Sequence, residues 1–106
     1  MKFGYTIVYV PDVAQSLQFF EQAFGFTRKF LHESNTYGEL ATGETTLAFP
    51  AHELAESNFP QGHVAASASA KPLGMELGFV TDDVAAAHAR AIAAGASELS
   101  APVSKP

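Results

Sequence analysis

One stretch constrains the chain more than any other: residues 5–26, YTIVYVPDVAQSLQFFEQAFGF. It reads as a strand, a break at Pro11-Asp12, an amphipathic helix, and a Gly-Phe exit into a second strand. Phe3, Tyr5, Ile7 and Tyr9 fall on one side of the first strand, and Thr6, Val8 and Val10 on the other. Both sides are largely apolar, so a neighbour is expected against each face. Asp12 supplies an N-cap oxygen, and Gln15 stands where a capping-box partner belongs. Val13, Leu17, Phe20 and Phe24 then make one apolar stripe, and Gly25 ends the helix. The same grammar returns in residues 75–99, MELGFVTDDVAAAHARAIAAGASEL. There Asp83-Val84 overlays Asp12-Val13, Gly95 overlays Gly25 after a one-residue deletion in the helix, and Glu76 overlays Tyr5.

Between the two stretches, residues 26–32 (FTRKFLH) alternate as a strand, with Phe26, Arg28 and Phe30 on one face. Ser34-Asn35 is a turn, and residues 37–42 and 45–49 are two more strands. Residues 1–50 thus read β-α-β-β-β, with the last three strands as an antiparallel meander. Residues 51–73 are rich in Ala and Ser and hold no sustained period. Apart from a helical turn near residues 52–57 they read as a linker or flap, and a lid and a mobile connector are both open. Residues 74–106 form the second unit: a strand at 75–81, a helix at 84–94, the start of a strand at 96–99, and a polar tail. Neither unit can hide its second sheet face alone, so the two are expected to pack together. The first unit has three strands after its helix and the second only one. The expectation is a second module truncated after its second strand, or elements exchanged between chains.

The totals narrow the function classes. The chain has 106 residues, 47% hydrophobic and 16% charged, which is a one-domain length with material for a core. A net charge of −5 without a basic cluster speaks against nucleic acid. Cysteine is absent, which removes disulfides, thiolate nucleophiles and cysteine zinc sites. No apolar run approaches the ~18 residues of a membrane span, and no leader is apparent. A soluble cytoplasmic protein is the expectation.

The stretches VPDVAQSLQFFEQAFGF (10–26) and ELGFVTDDVAAAHARAIAAGA (76–96) resemble the vicinal oxygen chelate superfamily, which includes glyoxalase I, extradiol dioxygenases and the bleomycin and fosfomycin resistance proteins. With the strands between them, the similarity covers nearly the whole chain. The resemblance implies an α+β fold of paired βαβββ modules forming an open, curled mixed sheet with helices outside, a small-molecule cavity, and a homodimer. It also implies where metal-dependent relatives hold a divalent ion. Three of the four positions are Tyr5 on the first strand, Leu47 (Ala48 if the alignment slips) on the last strand of module one, and Glu76 on the first strand of module two; the fourth is expected beyond Pro106. Only Glu76 could serve a hard cation well. The reading is a metal-independent small-molecule binding protein of the bleomycin-resistance type, with no cofactor. The alternative is a glyoxalase-like lyase or isomerase, or a dioxygenase, with a degenerate divalent-metal site. A third reading makes the aromatic faces an interface only.

Tyr5, Ile7, Tyr9, Leu47 and Phe49 are expected to line the cavity with Glu76 and Gly78, closed by Phe30 or Tyr37. Glu76 either meets a ligand, as acceptor or base, or pairs with a buried Tyr or Arg, or faces water. Gly78 leaves room beside it. Arg28 and Glu39 read as solvated strand residues. None of His32, His52, His63 and His88 starts a metal motif; His88 sits in the second helix stripe, and His52 and His63 read as exposed loop residues. No phosphate loop or serine elbow is present.

Overall fold

The computed structural model describes residues 1–105; the last residue of the expected 74–106 unit lies outside them. Its elements are β1 (Tyr5–Ile7), α1 (Val13–Phe24), β2 (Thr27–Leu31), β3 (Tyr37–Ala41), β4 (Thr46–Pro50), a 3₁₀ helix (His52–Ser57), a single 3₁₀ turn (Ala66–Ala68) and α2 (Val84–Ala93). Helix α1 begins where the sequence requires: the Asp12 carboxylate accepts the Gln15 N–H at 3.0 Å. It ends at Gly25, which takes φ 74° and donates its N–H to the Glu21 carbonyl. The second helix repeats the start, with Asp83 accepting from the Ala86 N–H at 3.0 Å.

The four strands form one mixed sheet in the order β1-β4-β3-β2. Strands β2, β3 and β4 are the expected antiparallel meander, and β1 runs parallel to β4 with Ile7 opposite Ala48. The ladder continues past β1, with Val8 and Val10 donating to the carbonyls of Ala48 and Pro50. Val13 and Leu17 of α1 pack on Leu40, Leu47 and Phe49 from one face of the sheet, with Ala51 beside them. Burial of each of the larger side chains contributes about 1.5–3 kcal/mol. Phe20 extends this core by stacking on Phe49 at 4.9 Å.

The second unit departs from expectation. Residues 75–81 and 96–99 alternate like strands, yet neither forms one. The sheet is therefore a single open one, neither curled nor closed, and the expected pair of sheets curling together is corrected to four strands with free edges at β1 and β2. The physical reason is partnership: a strand exists only where another edge accepts its ladder, and among the described residues the backbone of 76–80 makes no hydrogen bond. Side chains attach it instead. Phe79 stands within 4.9 Å of both Phe24 and Phe26. Helix α2 packs on α1, where Arg90 donates to the Gln22 carbonyl at 2.8 Å. The mixed sheet and the placement of both helices outside it stand as expected.

Candidate functional site

The sheet has one face under α1 and one face without a helix, and register decides which side chains belong to each. Ile7 pairs with Ala48 and Ala48 with Glu39, so Tyr5, Ile7, Thr46, Ala48, Tyr37 and Glu39 share the helix-free face. Leu47 and Phe49 lie on the opposite face, in the core. Tyr5 and Ile7 are 54% and 51% exposed, so the neighbour expected against that face of β1 is not there.

A bulge reshapes β2. The register shifts between Arg28 and Phe30, and Lys29 becomes the extra residue. Arg28 turns to the helix side and pairs with Glu21 at 2.7 Å. Phe30 turns to the other side, against Tyr37 at 5.9 Å. The expected common face of Phe26, Arg28 and Phe30 is thereby split. Lys29 reaches across the sheet, its Nζ 3.7 Å from Glu39 Oε1 and 3.4 Å from Thr46 Oγ1.

Glu39 is the one buried charged residue among those described, 7% exposed, where a solvated side chain was expected. Its burial is offset because Tyr37 donates its hydroxyl to Oε2 at 2.6 Å while Lys29 faces Oε1. Burial pushes the Tyr37 phenol well above its usual range, and the hydrogen bond to Glu39, the Glu39 charge and Tyr5 add to the shift. Tyr37 is thus a fixed donor to the buried Glu39 carboxylate.

Beside it, residues 52–64 fold back over the end of β1. Asn58 donates its amide to the Tyr9 hydroxyl at 2.8 Å, and Phe59 meets the Tyr9 ring edge-on at 5.6 Å. His63 lies against both rings, at 5.7 Å from Tyr9 and 5.8 Å from Phe59. His52 Nδ1 and His63 Nε2 are 3.0 Å apart. Their rings are near coplanar, at 23° with centroids 5.2 Å apart. That separation fits two imidazoles joined edge to edge by a hydrogen bond rather than stacked. His52 Nε2 is buried without a partner. An orphaned N–H is rarer than an under-used acceptor, which favours His52 donating through Nδ1 with Nε2 bare.

Under this flap lies a cavity of about 480 Å³, walled by Ile7, Tyr9, Phe59, His63, Met75 and Glu76 among others. A second hollow of about 530 Å³ lies between residues 76–80 and the start of β1, and takes in Thr6, Leu47, Glu76 and Gly78. Of the residues the sequence singled out, the flap cavity brings together Ile7, Tyr9 and Glu76. Tyr5 stays on the open sheet face, Leu47 and Gly78 border the second hollow, and Phe49 is core. Glu76 is exposed and has no hydrogen-bond or ion-pair partner among the described residues. The sequence reading preferred His52 and His63 as exposed loop residues over a lid that brings one of them to the cavity, and it missed Phe59. The stretch between the two histidines leaves no local periodicity to read, and His63 is exposed while His52 is half-buried.

The family profile for the glyoxalase/bleomycin resistance protein/dioxygenase superfamily matches residues 2–106. The chain belongs to this superfamily. Among solved structures it is similar to a glyoxalase/bleomycin resistance protein/dioxygenase family enzyme from Burkholderia phytofirmans, at 27% identity and TM-score 0.79, covering 99% of this chain and 82% of that one. It is also similar to a glyoxalase-related enzyme from Fulvimarina pelagi, at 18% identity and TM-score 0.71, covering 90% of this chain and 66% of the other. A glyoxalase/bleomycin resistance protein/dioxygenase from Nocardioides matches at 16% identity and TM-score 0.65, covering 100% and 70%. The last two likenesses show the fold alone. A search of curated proteins finds no significant match. No helix among the described residues is long and apolar enough to cross a membrane.

Superfamily membership raises the divalent ion that some relatives hold, and the residues of this chain do not fit it. Register places Ala48, not Leu47, beside Tyr5 and Ile7, and neither Ala48 nor Leu47 has a donor atom. That leaves a neutral phenol and one solvent-facing carboxylate, too few donors to hold a hard cation. Among the described residues, no group of three or more His, Asp or Glu could hold a metal.

Proposed function

We propose that this superfamily member is a metal-independent small-molecule binding protein whose ligand occupies the cavity between β1 and the 52–64 flap. The observation that carries the reading is the cavity itself. It has the size of a ligand site, with apolar and aromatic walls at Ile7, Tyr9 and Phe59 and a few convergent polar groups at Glu76, His52 and His63. In this reading residues 1–50 and 74–106 are two modules and residues 51–73 are a flap over the site. Tyr5, on the open face next to Tyr37, lies at the approach to it, with Leu47, Phe49 and Gly78 as support. A homodimer in the cytoplasm would cover exposed apolar residues such as Tyr5, Ile7 and Val80.

The test is a thermal-shift screen of small planar aromatic compounds followed by calorimetry on those that stabilise the protein. Saturable binding at one site is expected, weakened at least about tenfold in Tyr9→Ala, which removes the wall shared by Asn58, Phe59 and His63. Binding unchanged in Tyr9→Ala, with circular dichroism confirming the fold, would remove the cavity from consideration.

A further inference from the structure

The flap cavity has an uneven charge inventory. Neither Lys nor Arg is on its wall. Lys29 is engaged with Glu39 and Thr46, Arg28 with Glu21, and Arg90 with the end of α1, while Lys71 adjoins the wall residue Pro72 in the chain without itself being on the wall. The two imidazoles are tied to each other, Nδ1 of His52 to Nε2 of His63 at 3.0 Å. Three ring systems, Tyr9, Phe59 and His63, converge with centroids 5.6–5.8 Å apart. Tyr9 and Phe59 offer faces and edges of negative and positive character, and their faces attract a cation. Glu76, on the same wall, is the one carboxylate there and has no partner in the chain. The wall therefore carries one carboxylate and neither lysine nor arginine, and two independent features, Glu76 and the aromatic rings, favour a positive charge.

We propose that the cavity selects an organic monocation: an ammonium or substituted ammonium group carried on an apolar body of one or two rings. The body lies against Ile7 and Met75, and the charged head rests on the aromatic wall made by Tyr9 and Phe59, in the cavity that Glu76 also lines. This rests on the small-molecule reading given above and adds the sign of the ligand's charge. A hydrated ammonium headgroup suits the site because Glu76 is exposed. The ion need not be stripped of water completely, which keeps the desolvation cost small and the selectivity moderate.

The experiment compares matched probes by calorimetry at about 0.15 M salt, where the diffuse field of the net charge of −5 is screened within about 8 Å. The probes are 4-hydroxybenzyltrimethylammonium, its neutral carbon isostere 4-neopentylphenol, and the anion 4-hydroxyphenylacetate. The expected result is cation over isostere by about tenfold, with the anion weakest. Glu76→Gln should remove most of that preference, and Phe59→Leu should lower it severalfold by weakening the cation more than the isostere. Isostere affinity equal to or above that of the cation overturns the charge inference and leaves the small-molecule site standing. So does a preference that survives in Glu76→Gln and Phe59→Leu. Absence of binding by all three probes, together with a blank thermal-shift screen, overturns both.

Discussion

Gly38 sets the distance at which α1 rests on the sheet, and adding a single carbon there should be felt throughout the core. It lies buried in β3 on the helix side, opposite Phe49. A Cβ at this position would stand 2.6 Å from Leu17 Cδ1 and 3.3 Å from both Val13 Cγ1 and the Phe30 carbonyl oxygen. Carbon pairs rest at about 3.5–4.0 Å, so the first contact overlaps by about 1 Å. Leu17 is 0% exposed and Val13 1%, so neither side chain has free space to enter. Overpacking of this kind costs about 1–3 kcal/mol, and relief of glycine's backbone entropy returns about 0.5–1 kcal/mol. The net expectation for Gly38→Ala is a loss of about 1–2 kcal/mol. It would be read from the urea midpoint at constant m and from a fall in Tm of about 4–8 °C per kcal/mol. The partner substitution sharpens the test. Leu17→Ala alone should cost about 2–5 kcal/mol, but less in the Gly38→Ala background, where the new methyl enters the void left by the leucine. Wild-type stability in Gly38→Ala, or strict additivity of the two changes, would refute the argument that this glycine is the seat of the helix.

Two further outcomes follow from single contacts. Because the folded Tyr37 phenol titrates above its unfolded range, the unfolded chain loses this proton first. The contribution is full below about pH 10 and is lost as pH rises towards the folded value. Alkaline denaturation monitored with tyrosinate absorbance should show wild type losing stability above about pH 10 more steeply than Tyr37→Phe. Arg90→Ala removes the guanidinium that donates to the Gln22 carbonyl and lies beside Gly25. It should cost about 1 kcal/mol in chemical denaturation, and Arg90→Lys, a point donor, should recover only part of it.

Much of the first half was legible because its signals are local. Asp12, the stripe from Val13 to Phe24 and Gly25 delimit α1 within its own residues, and the meander strands are bounded by their own turns. What the sequence could not carry was pairing parity. Tyr5, Ile7 and Tyr9 were grouped with Leu47 and Phe49 by carrying the family's cavity positions onto Tyr5 and Leu47, but the parallel register sets Ile7 against Ala48, the slipped alternative, and puts the two runs on opposite faces. The bulge at Lys29 is likewise a property of the β2–β3 pair and leaves no mark in either strand alone. Glu39 was misread for a related reason. A charged strand residue defaults to solvent, and its burial depends on Tyr37 two residues before it and on Lys29, which reaches it only through the bulge. Residues 75–81 show the limit from the other side: alternation was present, and the partner edge was not. The flap cavity was half legible, through Ile7, Tyr9 and Glu76; its other half comes from residues 52–64, whose return depends on the aromatic contacts of Phe59 and His63.

The way residues 76–80 are attached has a consequence for how the chain tolerates mutation. A hydrogen-bonded ladder spreads its load over every residue, because each amide carries an equal share whatever side chain it bears. Residues 76–80 have no such ladder, and this region is moored at points, chiefly the Phe79 ring among Phe24 and Phe26 and the Arg90 guanidinium at the end of α1. Between moorings, exposed side chains such as that of Val80 take no part in the attachment within the chain. Glu76 stands on an unmoored stretch at the wall of the cavity, where ligand preference can be retuned with little disturbance to the sheet that supports it.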